Sequence, residues 1–349
     1  MNDSGEVADL HIVSVKIISS QLIGNSVALV FALASISCSS VILALQTLWK
    51  PLREKRQYLV MGVALSDILK ALAMTVLGIS RVRLAILGRD EIMNQVDCML
   101  WLFPTHFSTI FGLNTILALS ADRNFSISFP IWYHSRNSFV QISLISKSIA
   151  VALFSSCLSF VGISRGNIQP TCTVMSSTAK WFYTYLVWYQ YITIAAIVVF
   201  NVITGAVLTK RWKAAVWAKA NMAAFKRQIE LQAIKSVFAV VAVCLVTSFG
   251  TTILMTAIDR MKDENKAYFG PISGLFTLLR GILDFCVYVV LNKEYRKSIA
   301  HLICRRPYSS ETTVAPGTLF KRTTTVNNSQ VIPAGGKKGD CMVVSTIDL

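Results

Sequence analysis

Seven apolar runs, each closed by a short polar or basic segment, succeed one another along the chain, at roughly 27–49, 57–80, 98–121, 142–163, 182–209, 231–258 and 268–291. At a helical rise of about 1.5 Å per residue, each is near the length needed to cross a hydrocarbon core. The pattern therefore predicts an all-α membrane protein, a seven-transmembrane helix bundle spanning 27–291. Beyond it, residues 292–304 alternate charged and apolar positions at helical spacing, which predicts a short amphipathic helix lying on the membrane face. The remainder, 305–349, is rich in Ser, Thr, Gly and Lys and poor in large apolar residues, a composition that predicts a disordered tail.

The third run carries the most specific pattern. Arg123 follows Cys98 by 25 residues, about 37 Å along a helix, so one rod can hold its cysteine at one membrane face and Asp122-Arg123 at the other. No Asp, Glu, Lys or Arg interrupts it between Met99 and Ala121. Pro130 and Tyr133 follow, and the helix is expected to give way to a loop near Pro130.

Charge orients the rods. The basic residues cluster between the runs, at Lys50, Arg53, Lys55 and Arg56 and again at Lys210, Arg211, Lys213, Lys219, Lys226 and Arg227, as cytoplasmic loops do. The loop Asp259-Arg260-Met261-Lys262-Asp263-Glu264 mixes both signs instead. Residues 1–26 are then an extracellular N-terminal segment, with a glycosylation sequon at Asn2-Asp3-Ser4, and 292–349 are cytoplasmic. No basic stretch precedes the first run, so no cleaved signal peptide is read. With 54% hydrophobic residues, 15% charged and a mean hydropathy of +0.55, a soluble domain is excluded. The net charge of +16 belongs to loops beside a lipid bilayer rather than to a nucleic-acid surface.

Asp122-Arg123 with Pro130, Tyr133 and the upstream Cys98 resembles the third span and second inner loop of rhodopsin-like (class A) G-protein-coupled receptors. Asp284-Phe285-Cys286-Val287-Tyr288, followed by Asn292, Tyr295 and Arg296, is similar to the end of that family's last span, and Glu230 through Lys235 to the foot of its sixth. Asn124 stands where the family has an aromatic residue, Phe285 where it has proline, and Ser248-Phe249-Gly250 where it has Trp-x-Pro. Ser39 occupies the place of its first-span asparagine. The fourth span lacks tryptophan and the fifth lacks proline. This divergence most resembles nematode serpentine chemoreceptors. The resemblance implies a receptor, chemosensory in kind, that converts an extracellular ligand into activation of a heterotrimeric G protein from the plasma membrane. Asp122, Arg123, Glu230 and Tyr288 would form its switch, with Arg123 held by Asp122 and Glu230 at rest. Cys98 and Cys172, on the same expected outer side, pair as a disulfide in an oxidising exterior, whereas Cys38, Cys157, Cys244 and Cys286 lie inside apolar runs.

A mid-span carboxylate such as Asp67 is costly unless partnered. In the family the matching acid binds sodium; here Arg280, one turn from Asp284, is expected to replace the ion and bridge Asp284 and Asp67. The other reading has Arg280 facing a wet ligand cavity. Lys70, one turn from Asp67, either pairs with it or faces that cavity. Thr105, His106 and Thr109 are the expected ligand-pocket residues on the third span, with a hydrogen-bonded helix-packing histidine as the other reading of His106; the segment from Trp181 to Tyr191 adds an aromatic cluster, much of which reads as an interfacial belt. Thr105 stands where amine receptors of the family place aspartate, which disfavours a biogenic amine. Cys304, beside Arg305 and Arg306, is a candidate palmitoylation site. Ser309, Ser310, Thr312, Thr313, Thr323, Thr324 and Thr325 are candidate phosphorylation sites for an arrestin-like partner. Neither a catalytic constellation, a cofactor motif nor metal-ligand spacing is read. The alternative class is a multi-span transporter or ligand-gated channel subunit, but no doubling between the halves supports it.

Overall fold

The structure is a computed structural model that describes residues 3–49, 57–87, 93–169, 172, 177–217, 223–261 and 263–304. The described elements run α1 Asp3–Leu48, α2 Tyr58–Ile86, β1 Met93–Asn94, α3 Gln95–Ser128, α4 Pro130–Leu158, β2 Ile168–Gln169, α5 Lys180–Trp217, α6 Ala223–Asp259, α7 Asp263–Leu291 and α8 Lys293–Cys304. Stretches long and apolar enough to cross a membrane lie in each of α1 to α7. Their outward residues are apolar: Val30, Phe154, Val202 and Val246 are each about two thirds exposed. Water would make such a surface untenable; acyl chains make it ordinary.

α3 is the axis. Two thirds of its most apolar window is buried inside the protein, against just over a quarter in α1, α4, α5, α6 and α7. It packs on α2, α4 and α5, while α1 packs on α2 and α7, and α6 chiefly on α7. A lipid-facing helix needs only an apolar outer face, but a central one must satisfy its polar groups inside the protein. Ser108, Thr109, Asn114 and Thr115 of α3 accordingly donate to carbonyls one turn back, at 2.7–3.0 Å.

Two boundaries differ from expectation. α1 begins at Asp3 rather than near Val27, although its membrane-capable stretch starts only at Leu22. No loop opens at Pro130. Only Phe129 separates α3 from α4, and Pro130 takes the first turn of α4, where a missing N–H costs nothing and the fixed φ suits the helix.

The unit Met1–Tyr295 holds all seven spans. The unit from Arg296 onward continues α8 as far as Cys304 among the described residues.

Candidate functional site

Polar groups collect at three levels along α3. At the first, Cys98 and Cys172 form a disulfide with Cα atoms 5.4 Å apart, both almost fully buried against Leu77 and Leu102. Arg81 donates to the Cys172 carbonyl. Asn94 caps α3 by accepting from the Asp97 N–H at 2.8 Å, satisfying one of the donors a helix start leaves open. The Gln95 side chain accepts from Ser164 N at 3.3 Å and from Asn167 Nδ2 at 3.2 Å. With β1 paired antiparallel to β2, these bonds tie the α4–α5 connection over the start of α3.

At the middle level lie four charged side chains, Asp67, Lys70, Arg280 and Asp284, each at most 4% exposed. Arg280 Nε stands 3.8 Å from Asp67 Oδ1 and 3.7 Å from Asp284 Oδ2. Two guanidinium or ammonium groups against two carboxylates leave the cluster formally neutral, without which four charges would not persist in this interior. Small residues make room for it. A Cβ at Gly112 would come 2.7 Å from Ser66 Oγ and 3.4 Å from an Arg280 terminal nitrogen, and one at Gly281 would collide with Ser35 and lie 3.2 Å from Ser39 Oγ. α1, α2, α3 and α7 thus converge on one point.

At the third level Asp122 is fully buried and accepts from the Tyr133 hydroxyl at 2.5 Å. Gln141 Nε2 donates to the Tyr133 oxygen at 3.2 Å, and Gln141 Oε1 accepts from Tyr58 N at 3.1 Å. Burial first, and the Asp122 carboxylate second, push the Tyr133 phenol up from its ordinary range, so it remains a donor at every physiological pH. Among the described residues Arg123 Nε has no hydrogen-bond partner. Asn124, standing where an aromatic was expected, donates to Thr204 Oγ1 on α5 at 3.3 Å. Tyr288 is buried with its hydroxyl unpartnered, its ring stacked on Tyr295 at 5.3 Å. Tyr295 is in turn held by Gln46 of α1, while Tyr288 lies within electrostatic reach of Arg123.

Residues 32–303 match the family described as serpentine type seven-transmembrane G-protein-coupled receptor chemoreceptor Srsx. The chain belongs to this Srsx chemoreceptor family. Among curated proteins none matches it. Its membership makes it a multi-pass membrane protein and a receptor of the G-protein-coupled type.

Within this Srsx receptor Thr105, His106 and Thr109 occupy two successive turns of α3, with Thr109 between the other two around the helix. Thr105 and Thr109 lie seven and three residues before Gly112, on the helix face that meets Ser66 and Arg280. His106, 100° round the helix, packs against α5, its ring 5.4 Å from Phe182, with Nε2 unpartnered. The aromatic segment is divided. Phe182, Tyr185 and Tyr189 form an inward chain of rings 5.7 and 5.9 Å apart, ending at Asn114, whereas Trp181 and Trp188 are about half exposed or more. A groove of about 500 Å³ between α2 and α3, lined by Leu69, Leu72, Val76, Leu100 and Trp101, opens outward among exposed apolar residues. The Glu230 and Cys304 side chains lie outside the described residues although both positions are helical; so do Asn2 and the tail's candidate phosphorylation sites.

Gln141, Gln46 and Asn114 are the polar partners that sequence reasoning passed over. Their signal was present: an amide inside an apolar span is costly unless another helix answers it.

Proposed function

We propose that this receptor converts an extracellular ligand, bound between the disulfide-end halves of its spans, into nucleotide exchange on a heterotrimeric G protein at the Arg123 end. The observation that carries this is the state of the Asp122-Arg123 pair. Asp122 is buried and accepts from Tyr133 through one oxygen, and among the described residues neither its second oxygen nor Arg123 Nε has a hydrogen-bond partner. A guanidinium with an unpartnered Nε and five donors in a planar fork is suited to engage carbonyls of an inserted helix end.

The orientation follows from charge. The basic clusters 50–56 and 210–227 flank the Arg123 end and stand for the cytoplasm, which puts the disulfide and Asn2 outside, in the plasma membrane. In the resting state Glu230 of α6 is the partner assigned to Arg123, and Tyr288 takes Arg123 or a water when α6 moves. The mid-span charges are the hinge between ligand and switch, with Arg280 in the place of a bound sodium ion. The tail, with Cys304 palmitoylated and its Ser and Thr residues phosphorylated, recruits arrestin.

Two experiments test this. An N-terminal epitope tag on intact cells is accessible to antibody, and Asn2→Gln removes a glycan; a tag reached only after permeabilisation overturns the orientation. A ligand that accelerates nucleotide exchange in wild-type membranes does so at least tenfold less with Arg123→Ala, and an undiminished response overturns the role of Arg123.

A further inference from the structure

Resting on the reading that a ligand enters from the disulfide end, we propose that Lys70 anchors it, and that the ligand is an uncharged molecule presenting a hydrogen-bond acceptor, a carbonyl oxygen on an apolar body. Lys70 is 4% exposed. It lies one turn from both Ser66, which abuts Gly112 of α3, and Asp67, which faces Arg280 of α7. It is also within electrostatic reach of Cys244 on α6. α3, α6 and α7 thus neighbour the turn of α2 that carries it. Arg280 stands between both carboxylates, and among the described residues Lys70 has neither a direct ion pair nor a hydrogen bond of its own.

Packing gives the level. Leu77 meets Cys98 and Leu102, and Ser66 meets Gly112, so the antiparallel run of α2 along α3 brings Lys70 beside about residue 108. Thr105 and Thr109 flank that level on the Gly112 face. The Thr109 hydroxyl donates to the Thr105 carbonyl at 2.8 Å, whereas the Thr105 hydroxyl is buried without a partner. Toward the disulfide, Met74, Leu77 and Leu102 supply apolar wall.

The charge count selects the ligand. Lys70 and Arg280 already balance Asp67 and Asp284, so a ligand bearing either sign would bring an uncompensated charge into a buried site. An ammonium has donors and no acceptor. The group it lacks is a neutral acceptor, and a ketone, aldehyde, ester or lactone oxygen supplies it.

The test uses the purified full chain in lipid nanodiscs. Thermal unfolding is followed while n-alkyl methyl ketones are titrated, beside fatty carboxylates, alkylamines and alkanes of matched length. The ketones raise the unfolding midpoint in a concentration-dependent way and the other three series do not. The shift is lost in Lys70→Met, and in the charge-balanced Lys70→Met/Asp67→Asn variant should the single substitution not fold. Phe154→Leu, on the outward, lipid-facing side of α4, retains it. A larger shift from carboxylates or amines, a ketone shift that survives the charge-balanced variant, or no shift in any series overturns the proposal. Nucleotide exchange is measured separately. Ketone binding without exchange removes the G-protein reading and keeps this site, while exchange evoked by a ligand indifferent to Lys70 does the reverse.

Discussion

At the scale of single residues, the largest energies sit where a buried charge depends on one partner. Tyr133→Phe removes the hydroxyl that Asp122 accepts from at 2.5 Å and leaves a carboxylate at the centre of the helix bundle without that donor. The expected cost is about 2 kcal/mol, read as a lowered midpoint of thermal unfolding in detergent, with Gln141→Leu costing less because it touches the pair only through Tyr133. Arg280→Met strands both Asp67 and Asp284, at about 3–5 kcal/mol. Adding Asp284→Asn to Arg280→Met returns most of that loss, since Lys70 then balances Asp67 and the cost lies in the uncompensated charge and not in the missing side chain. Gly281→Ala inserts a methyl where Ser35, Ser39 and the Asp67 Cβ already stand, an overpacking of about 1–3 kcal/mol measurable in the same assay. These partnerships were only partly legible in the sequence. Asp67, Arg280 and Asp284 announce themselves because charge is rare in apolar runs, and i to i+4 spacing ties two of them. Tyr133 with Asp122 depends on how α4 folds back beside α3, and no local pattern records that.

At the scale of elements, the apolar runs and basic clusters predicted the spans because lipid imposes the same length and composition on every one. The ends were less legible. Proline after Phe129 reads as a terminator of α3, which it is, yet the same residue starts α4 because the first turn of a helix tolerates it. Thr105, His106 and Thr109 read as pocket residues from their depth, one to two turns inside Cys98; that the His106 ring meets Phe182 of α5 depends on how two distant spans pack, which no local pattern records. The Cys98–Cys172 bond ties α3 to the connection before α5 across 74 residues. Closing so long a loop removes much unfolded-chain entropy, so Cys98→Ser/Cys172→Ser is expected to cost about 2–5 kcal/mol and to free the segment that Gln95 and β1 hold, which limited proteolysis of intact cells would detect.

At the scale of the whole molecule, α3 is contacted by four of the other spans and carries the disulfide, the Gly112 approach and Asp122-Arg123 in order along its length. A displacement of α6 against α7, on which it chiefly packs, would leave the α1–α2–α7 convergence in place. Signal transfer then needs two arrangements of the spans and a ligand with unequal affinity for them. The most direct measurement is guanine-nucleotide exchange on a heterotrimeric G protein, in membranes carrying the wild-type chain or Arg123→Ala and exposed to panels of volatile, lipid and peptide compounds. At least one compound is expected to accelerate exchange in the wild type and to lose that effect in Arg123→Ala. A compound that instead evokes a membrane current through the chain in the absence of any G protein contradicts the account.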